Sequence, residues 1–284
     1  MFKRALIVLT LLALLASLMI AMGYFIAQRQ RASFIDRHIA GPTERTGIDL
    51  RPQVYAGLPT PVRRYFDFAF NGRTEIAVHW VDWTERGEFL LPVGQFRVRG
   101  RQASRANQPV YTWTGTFWRF GFPLLESRDA FFVTGHDMRA KLFGWINVMH
   151  TAYEKADQIA SLHSYLVLRY YGQAPMMPWA LLPNKFVQWE PRDEKSAYIA
   201  ITHERLEGRY RVTFGEDGRI IRMETDRLLM EGNYTMQREV GRKLVYKEVG
   251  GFWIPTPMDY RWYLEDGTLS AHYDFELADL RILE

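Results

Sequence analysis

Hydrophobic and polar residues alternate along much of the chain after Gly72, which is the pattern of β-strands with one buried face. In the stretch YTWTGTF, threonines separate Tyr111, Trp113 and Phe117. The stretch RYRVTF is built in the same way, and LSAHYDFEL near the carboxyl terminus has an apolar residue at every second position from Leu269. Antiparallel sheets with one dry and one wet face have this pattern. The alternation therefore predicts a large antiparallel sheet.

Two other stretches have the spacing of amphipathic helices and supply a cover for the dry face. The first, LPTPVRRYFDFAF, offers Thr60 as a helix cap and Pro61 as the first helical residue, and it ends at Asn71 and Gly72. The second, ADQIASLHSYLVLRYYG, repeats apolar residues at helical spacing up to Gly172. Together these elements predict an α+β fold, in which a strongly curved antiparallel sheet, a half-barrel, carries helices on its concave face.

The amino-terminal stretch ALIVLTLLALLASLMIAMGYFI, residues 5–26, contains no charged residue. A helix of this length measures about 33 Å and can cross a hydrocarbon layer of about 30 Å. Lys3 and Arg4 precede it and favour a cytoplasmic amino terminus. A cleaved signal peptide is the alternative, because Ala21 and Gly23 have the spacing of a processing site. We predict one transmembrane helix in the cytoplasmic (inner) membrane and a carboxyl-terminal domain outside the cytoplasm.

Breaks in composition divide the chain into a membrane anchor at residues 1–28, a juxtamembrane linker at 29–57 and an α+β domain at 58–284. The formal net charge of +4 comes from the first 37 residues, where five basic residues stand against Asp36. The remaining domain is neutral and lacks the basic excess of a nucleic-acid-binding face, so no nucleic acid partner is predicted. The chain has no cysteine, which excludes disulfides and thiolate metal sites.

Catalytic and metal-binding motifs are missing from the sequence. The histidines occur singly, without a spacing that puts two ligands on one face, and we predict no metal and no cofactor. There is no nucleophile elbow and no glycine-rich phosphate loop. Glu190, Asp193 and Glu194 alternate with basic residues as in a solvated turn. Binding without catalysis is favoured, although carboxylates distant in sequence can meet in a hydrolase site.

An apolar binding site is the main functional candidate. The stretch RYYGQAPMMPWALLP, residues 169–183, is interpreted either as a loop that fills the open end of the sheet or as the rim of a hydrophobic cavity. The stretch FWRFGF, residues 117–122, abandons alternation and is either buried on both faces or directed toward the bilayer. Arg169 lies on the second predicted helix, and its guanidinium either has an ion-pair partner or binds an anionic head group. The predicted ligand-binding residues are Trp113, Phe117, Phe120, Phe122, Arg169, Met176, Met177 and Trp179.

Three stretches carry a resemblance: LPTPVRRYF at 58–66, RYYGQAPMMPWALLP at 169–183 and GGFWIPTPMDYRWYLEDG at 250–267. They resemble a bacterial family of unknown function, whose members pair an LPxPVxRYF helix with an RYLxExxWxPxALLP segment. Gln173 and Met176 replace the acidic residue and the tryptophan of that segment, so no role of the family's carboxylate is carried over. More loosely, the chain resembles the half-barrel of periplasmic lipoprotein carriers and lipid-binding lipoproteins.

These observations favour a membrane-anchored domain that binds or transfers an apolar molecule, a lipid or an acyl chain, without catalysis. Two alternatives remain open. A structural or assembly partner in a cell-envelope complex would expose a large apolar patch. A hydrolase that acts on envelope lipid or glycan would bring polar residues such as His136, His150 or Glu190 together in a cleft.

Overall fold

The computed structural model describes residues 2–39, 46–133, 135–150, 156–203, 206–229, 236–243 and 245–283. The helices are α1 (Phe2–Ile39), α2 (Thr60–Phe70) and α3 (Ala156–Gln173), with short 3-10 turns at Pro52–Val54, Ala174–Met176 and Pro178–Leu181. The strands are β1 (Thr46–Asp49), β2 (Glu75–Val78), β3 (Trp80–Leu91), β4 (Gly94–Arg105), β5 (Tyr111–Arg119), β6 (Phe122–Phe132), β7 (Gly135–Leu142), β8 (Ile146–His150), β9 (Val187–Pro191), β10 (Ser196–His203), β11 (Leu206–Phe214), β12 (Ile220–Leu229), β13 (Met236–Lys243), β14 (Tyr246–Val249), β15 (Phe252–Pro255), β16 (Pro257–Tyr263) and β17 (Leu269–Leu283).

Thirteen strands form one antiparallel sheet, in the order β8, β7, β6, β5, β4, β3, β17, β16, β13, β12, β11, β10, β9. The long strand β17 joins the two halves, because it pairs with β16 on one side and with β3 on the other. In the described part of the chain the edge strands β8 and β9 do not pair with each other, so the sheet stays open. The predicted α+β half-barrel is confirmed.

The concave face of the sheet carries the core. In β17 the apolar positions Ala271, Tyr273, Phe275 and Leu277 are buried, as the alternation predicts. Helices α2 and α3 both pack on this face, with α2 against β10 and β11 and α3 against β6, β11 and β12. The dry face is therefore covered by the two amphipathic helices.

Helix α2 has the predicted end and a different start. Asn71 follows its last turn in the left-handed conformation, with φ 50° and ψ 41°. Thr60 is the first helical residue rather than the cap. Pro59 takes the cap position, and its carbonyl oxygen accepts the backbone N–H groups of Val62 at 2.9 Å and Arg63 at 3.1 Å. The prediction of Thr60 as cap is wrong because an extended proline already starts the helix without a side-chain hydrogen bond.

The carboxyl-terminal half of helix α1 packs on the convex face of the sheet. The helix runs to Ile39 and so includes the first residues of the stretch assigned to the linker. Its second half lies on the sheet, where Ile35 is buried against Trp80 and Ala103. As a result β5 is buried on both faces from Tyr111 to Phe117, against the expectation of one wet face. Threonine on the convex side of β5 faces a helix instead of water.

Candidate functional site

A cavity of about 350 Å³ lies on the concave face, between the sheet and α3. Its apolar wall comes from β3, β5 to β8, β16 and β17: Phe89, Leu91, Trp113, Phe117, Leu125, Met138, Ala140, Met149, Tyr260, Trp262, Tyr273 and Phe275. Its polar lining comes from β6, β13 and α3: Ser127, Asp129, Tyr165, Arg169, Gln173 and Glu239. A cavity with aromatic walls and few polar groups is the usual form of a small-molecule site.

Stacked aromatic rings form the wall on β3, β16 and β17. The ring of Phe89 stacks on Tyr273, with centroids 4.8 Å apart, and on Trp262 at 5.8 Å. It also meets Phe117 of β5 at 5.8 Å. Such ring pairs add to the burial energy and fix each other's orientation. The wall is therefore preformed by contacts within the chain.

Two glycines leave room for the wall on β4 and β5. A Cβ atom at Gly115 would lie 2.4 Å from the ring of Trp113, and one at Gly100 would lie 2.7 Å from Cγ of Glu85. Gly100 and Gly115 are register partners on neighbouring strands. The side chains of Trp113 and Glu85 lie directly over the backbone of these glycines, in space that any larger residue would occupy. The small residue at position 115 of β5 is therefore needed for the orientation of Trp113 in the cavity wall.

Glu85 lies behind the wall and holds three aromatic side chains. Its carboxylate accepts hydrogen bonds from Trp113 Nε1 at 2.6 Å, Tyr273 Oη at 2.7 Å and Trp83 Nε1 at 3.3 Å. Burial raises the pKa of Glu85, and the hydrogen bonds oppose that shift. The residue fixes the rings of Trp113 and Tyr273 from behind.

The polar end of the cavity centres on an ion pair between α3 and β6. Arg169 donates to Asp129, and its guanidinium lies 5.1 Å from the Trp113 ring centre and 5.6 Å from that of Tyr111. Burial alone would lower the pKa of Arg169, but attraction to Asp129 raises it above the ordinary value. The guanidinium therefore stays charged at the inner end of an apolar cavity.

Further hydrogen bonds lie beside this pair, and two of them fasten the carboxyl end of α3. Gln102 Nε2 donates to Gln173 Oε1 at 2.8 Å, and Tyr260 Oη donates to the carbonyl oxygen of Gly172 at 2.8 Å. Glu239 accepts Trp262 Nε1 at 2.9 Å. The position where the resembling family has a carboxylate thus carries an amide that joins α3 to β4.

The cavity reaches one end of the sheet. We call the turns β3–β4, β5–β6, β7–β8 and β16–β17 the tip end, because antiparallel pairing brings all four to the same side. Lining residues far from these turns, such as Trp113 and Met138, are buried. Leu91, Leu125 and Trp262, close to the turns, are only partly buried. The mouth of the cavity is therefore at the tip end.

The structure separates the predicted ligand-binding residues into three groups. Trp113, Phe117 and Arg169 line the cavity together. Phe120 and Phe122 lie at the β5–β6 turn and are 83% and 50% exposed. The remaining three are buried in the main core, away from the cavity lining: Met176, Met177 and Trp179.

The interpretation of FWRFGF as buried on both faces is wrong for Phe120 and Phe122. Phe120 and Gly121 have positive φ values of 53° and 82°, so the backbone reverses there. Alternation fails in this stretch because the strand ends, and the rings project from a turn.

Several cavity residues were missed by sequence reasoning. Asp129 lies 40 residues before Arg169 in the chain, and no local spacing links them. The alternation of apolar residues places Tyr273 and Phe275 on a dry strand face, which is the available signal, but it does not predict that they form the wall of a site. His136 and His163 were predicted to be isolated, yet His136 Nδ1 lies 3.2 Å from His163 Nε2.

The residues that would support a hydrolase do not cluster among the described parts of the chain. His136 is on β7 beside α3, whereas Glu190 is on the opposite edge strand β9 and pairs with Arg209 at 2.8 Å. His150 is exposed at the end of β8. The cavity itself contains the Asp129–Arg169 pair and Glu239 as its charged groups.

These features define an open antiparallel half-barrel with a cavity under one of its helices. The chain belongs to a family of unknown function, DUF6544, whose model matches residues 50–273. Among the curated proteins no match is found.

Three solved structures are similar to this chain in fold. A DUF1329 family protein from Desulfovibrio piger is 8% identical over 72% of this chain and 86% of its own, with a TM-score of 0.41. A putative outer membrane lipoprotein-sorting protein domain from Vibrio parahaemolyticus is 10% identical over 72% and 85%, with a TM-score of 0.39. A LolA superfamily protein from Nitrosomonas europaea is 9% identical over 79% and 93%, with a TM-score of 0.40.

Proposed function

We propose that this protein is anchored in the cytoplasmic membrane by α1 and that its domain, outside the cytoplasm, binds or transfers an apolar molecule without catalysis. The cavity under α3 carries this proposal. Its volume of about 350 Å³ is in the range of small-molecule sites, and its wall is aromatic and aliphatic. A lipid acyl chain is the class of ligand that such a wall favours.

The anchor is supported by the exposure of the first half of α1. In its most apolar 18-residue window no residue is buried, and the mean hydropathy of that window is 2.7. Leu9, Leu14 and Leu18 are all more than half exposed. A row of exposed leucines on every side of a helix is unfavourable in water and favourable in lipid. Lys3 and Arg4 favour the orientation with the domain outside the cytoplasm.

The polar end of the cavity suggests which part of the ligand lies deepest. In the Arg169–Asp129 pair the carboxylate is buried and the guanidinium is largely buried, with Trp113 and Tyr111 around it. A polar or anionic head group would find a fixed guanidinium there, while its chain follows the aromatic wall toward the tip end. The ion pair alone is the structural alternative, and it needs no ligand.

A phospholipid that carries a diazirine on one of its ester-linked acyl chains tests the proposal. The full chain is reconstituted in lipid bilayers that contain an acyl-chain diazirine, irradiated and digested, and the labelled peptides are identified by mass spectrometry. We expect label on β3, β5 and β7 in addition to α1, which serves as an internal positive control. Ala140→Phe, which fills the cavity, should remove the label from the cavity-lining residues of these strands and leave that on α1.

The matched control is Ala77→Phe, because Ala77 is exposed on β2 and does not line the cavity. Label confined to α1 in the wild type would reject the proposed binding site. Recovery of a cleaved probe would instead favour the hydrolase. If the cavity stays empty, crosslinking to other proteins of the envelope would test the assembly role.

A further inference from the structure

Three neighbouring turns at the tip end expose large apolar side chains. They belong to the hairpins β3–β4, β5–β6 and β7–β8, and we call their exposed residues the tip rim: Val93, Phe120, Phe122, Trp145, Ile146 and Val148. Phe120 is 83% exposed and Val93 is 69% exposed. Exposed groups of this size and number on adjacent turns mark an interaction surface.

Helix α1 connects the tip rim to the proposed membrane span. At the tip end, Trp145 Nε1 donates to the carbonyl oxygen of Met19 at 3.1 Å, and Tyr24 meets Trp118 edge-on at 5.3 Å. Farther along, Ile35 packs near the opposite end of the sheet. The helix therefore passes along the convex face and leaves the domain at the tip end.

The depth of the tip rim follows from the length of the span. The uncharged run starts at Ala5, and a layer of about 30 Å needs about 20 residues of helix, so the outer hydrocarbon boundary falls near Tyr24. The contact between Trp145 and Met19 lies five residues before that point, which is about 7 Å of helix rise. If α1 crosses the bilayer, this turn reaches into it.

We propose that the tip rim is seated in the outer boundary of the bilayer that α1 crosses, so that the mouth of the cavity opens into lipid. This proposal rests on the proposed anchor. It commits to the membrane as partner, because α1 fixes the rim at that depth and because aromatic side chains with basic neighbours are typical of the interface. Arg119 fits this pattern, with its guanidinium 4.9 Å from the ring centre of Phe120.

The fourth turn of the tip end has the opposite character. The β16–β17 turn carries Glu265 and Asp266, both exposed. Carboxylates are unfavourable in hydrocarbon, so this side of the tip end remains in water. The domain therefore tilts toward the side of α1, and lipid enters the cavity between the β3–β4 and β7–β8 turns, where Leu91 and Met149 line it.

Single-cysteine labelling tests this arrangement, and the chain offers a clean background because it has no cysteine. Phe120→Cys and Val148→Cys report on the rim in the full chain in lipid nanodiscs. Val133→Cys is the matched control, since Val133 is a 75% exposed apolar residue in the β6–β7 turn at the other end of the sheet. Leu12→Cys in α1 reports on the anchor. Each variant carries an environment-sensitive fluorophore, and nitroxide groups on the lipid acyl chains act as quenchers.

We expect a blue-shifted emission and strong quenching at the two rim positions and at Leu12, with an aqueous, unquenched signal at Val133. Quenching at Leu12 together with rim positions that behave like Val133 would overturn the proposal and leave the anchor intact. An unquenched Leu12 would overturn the anchor, and this proposal with it. The label sites are exposed, so the variants keep their fold.

Discussion

The two halves of the sheet differ in what fills their concave face. On β9 to β12, the chain fills the space itself with α2 and with the turns after α3, so that Tyr65, Met176 and Trp179 are all buried. On β3 to β8, α3 leaves a cavity whose wall is buried at its inner end and partly exposed near its mouth. The same curved sheet thus serves as a closed core on one side and as a candidate binding site on the other.

The difference shows how apolar composition alone misleads. Met176, Met177 and Trp179 form a conspicuous apolar cluster after the amino-terminal apolar run, and they lie in the closed half. Phe89 and Trp262 are less conspicuous and line the cavity. Whether an aromatic residue packs in the core or lines a site depends on which segment covers it.

Removal of a large side chain from the closed half has the largest expected effect. Trp179 is 2% exposed and its ring meets Phe252 at 5.0 Å, so Trp179→Ala should lower the free energy of unfolding by about 3–5 kcal/mol. Trp262→Ala, in the partly exposed part of the cavity wall, should lower the free energy of unfolding by a smaller amount. Urea unfolding of the full chain in detergent micelles measures both.

Trp179→Phe is the control for size. Within the described residues Trp179 Nε1 has no hydrogen-bond partner, so the removal of that atom sacrifices no bond. Trp179→Phe should therefore lower the free energy of unfolding much less than Trp179→Ala does. Equal losses for Trp179→Ala and Trp262→Ala would remove the distinction between a filled half and an open half.

The introduction of a large side chain should also distinguish the filled half of the sheet from the half with the cavity. Ala174 is fully buried next to α3, so Ala174→Phe should destabilise the fold by about 1–3 kcal/mol through overpacking. Ala140 lines the cavity, and Ala140→Phe should leave the free energy of unfolding nearly unchanged while it occupies the ligand space. Thermal unfolding of the two variants under one condition gives the comparison. A large loss at Ala140 would mean that the cavity has no free room.

Much of the fold could be predicted because the period of the apolar residues is local. The alternation in β17 and the helical spacing in α2 and α3 needed no information from elsewhere in the chain. The position of α1 on the convex face could not be predicted, because residues 29–39 are charged and mixed in composition. Arg31 is largely buried there, and its hydrogen-bond partners lie 68 to 95 residues away in the chain.

The candidate site could likewise be predicted only as far as local sequence patterns allow. Trp113, Phe117 and Arg169 were chosen for residue type on a dry strand or on an apolar helix, and they meet in the cavity. Asp129 and Glu239 were not chosen, because a carboxylate on a strand gives no sign of its partner until the register of the sheet is known. The ligand-binding roles of Trp113, Phe117 and Arg169 remain predictions.

The convex face allows a further comparison, because α1 covers one half of it and leaves the other half uncovered. Under α1, burial raises the pKa of Glu126 to about 7, despite its partners Arg31 and Thr116. On the uncovered half, burial is outweighed by Arg242 and Arg261, which hold the pKa of Asp259 at about 2. A similar carboxylate–arginine arrangement therefore has opposite shifts with and without the helix.

The raised pKa of Glu126 predicts a loss of stability as pH rises. The folded state keeps a proton that the unfolded state has lost, so the contribution is complete below pH 4.5 and disappears as pH rises through 7. Urea unfolding at pH 5 and pH 8 should show a fall in the free energy of unfolding for the wild type that Glu126→Gln reduces by about 2 kcal/mol. Asp259→Asn should lower the free energy of unfolding by a constant amount between pH 5 and pH 8 and leave the slope there unchanged, because its carboxylate contributes stability above pH 3.8 and loses it only as pH falls through about 2. An identical pH profile for Glu126→Gln and the wild type would mean that α1 does not cover Glu126 in solution.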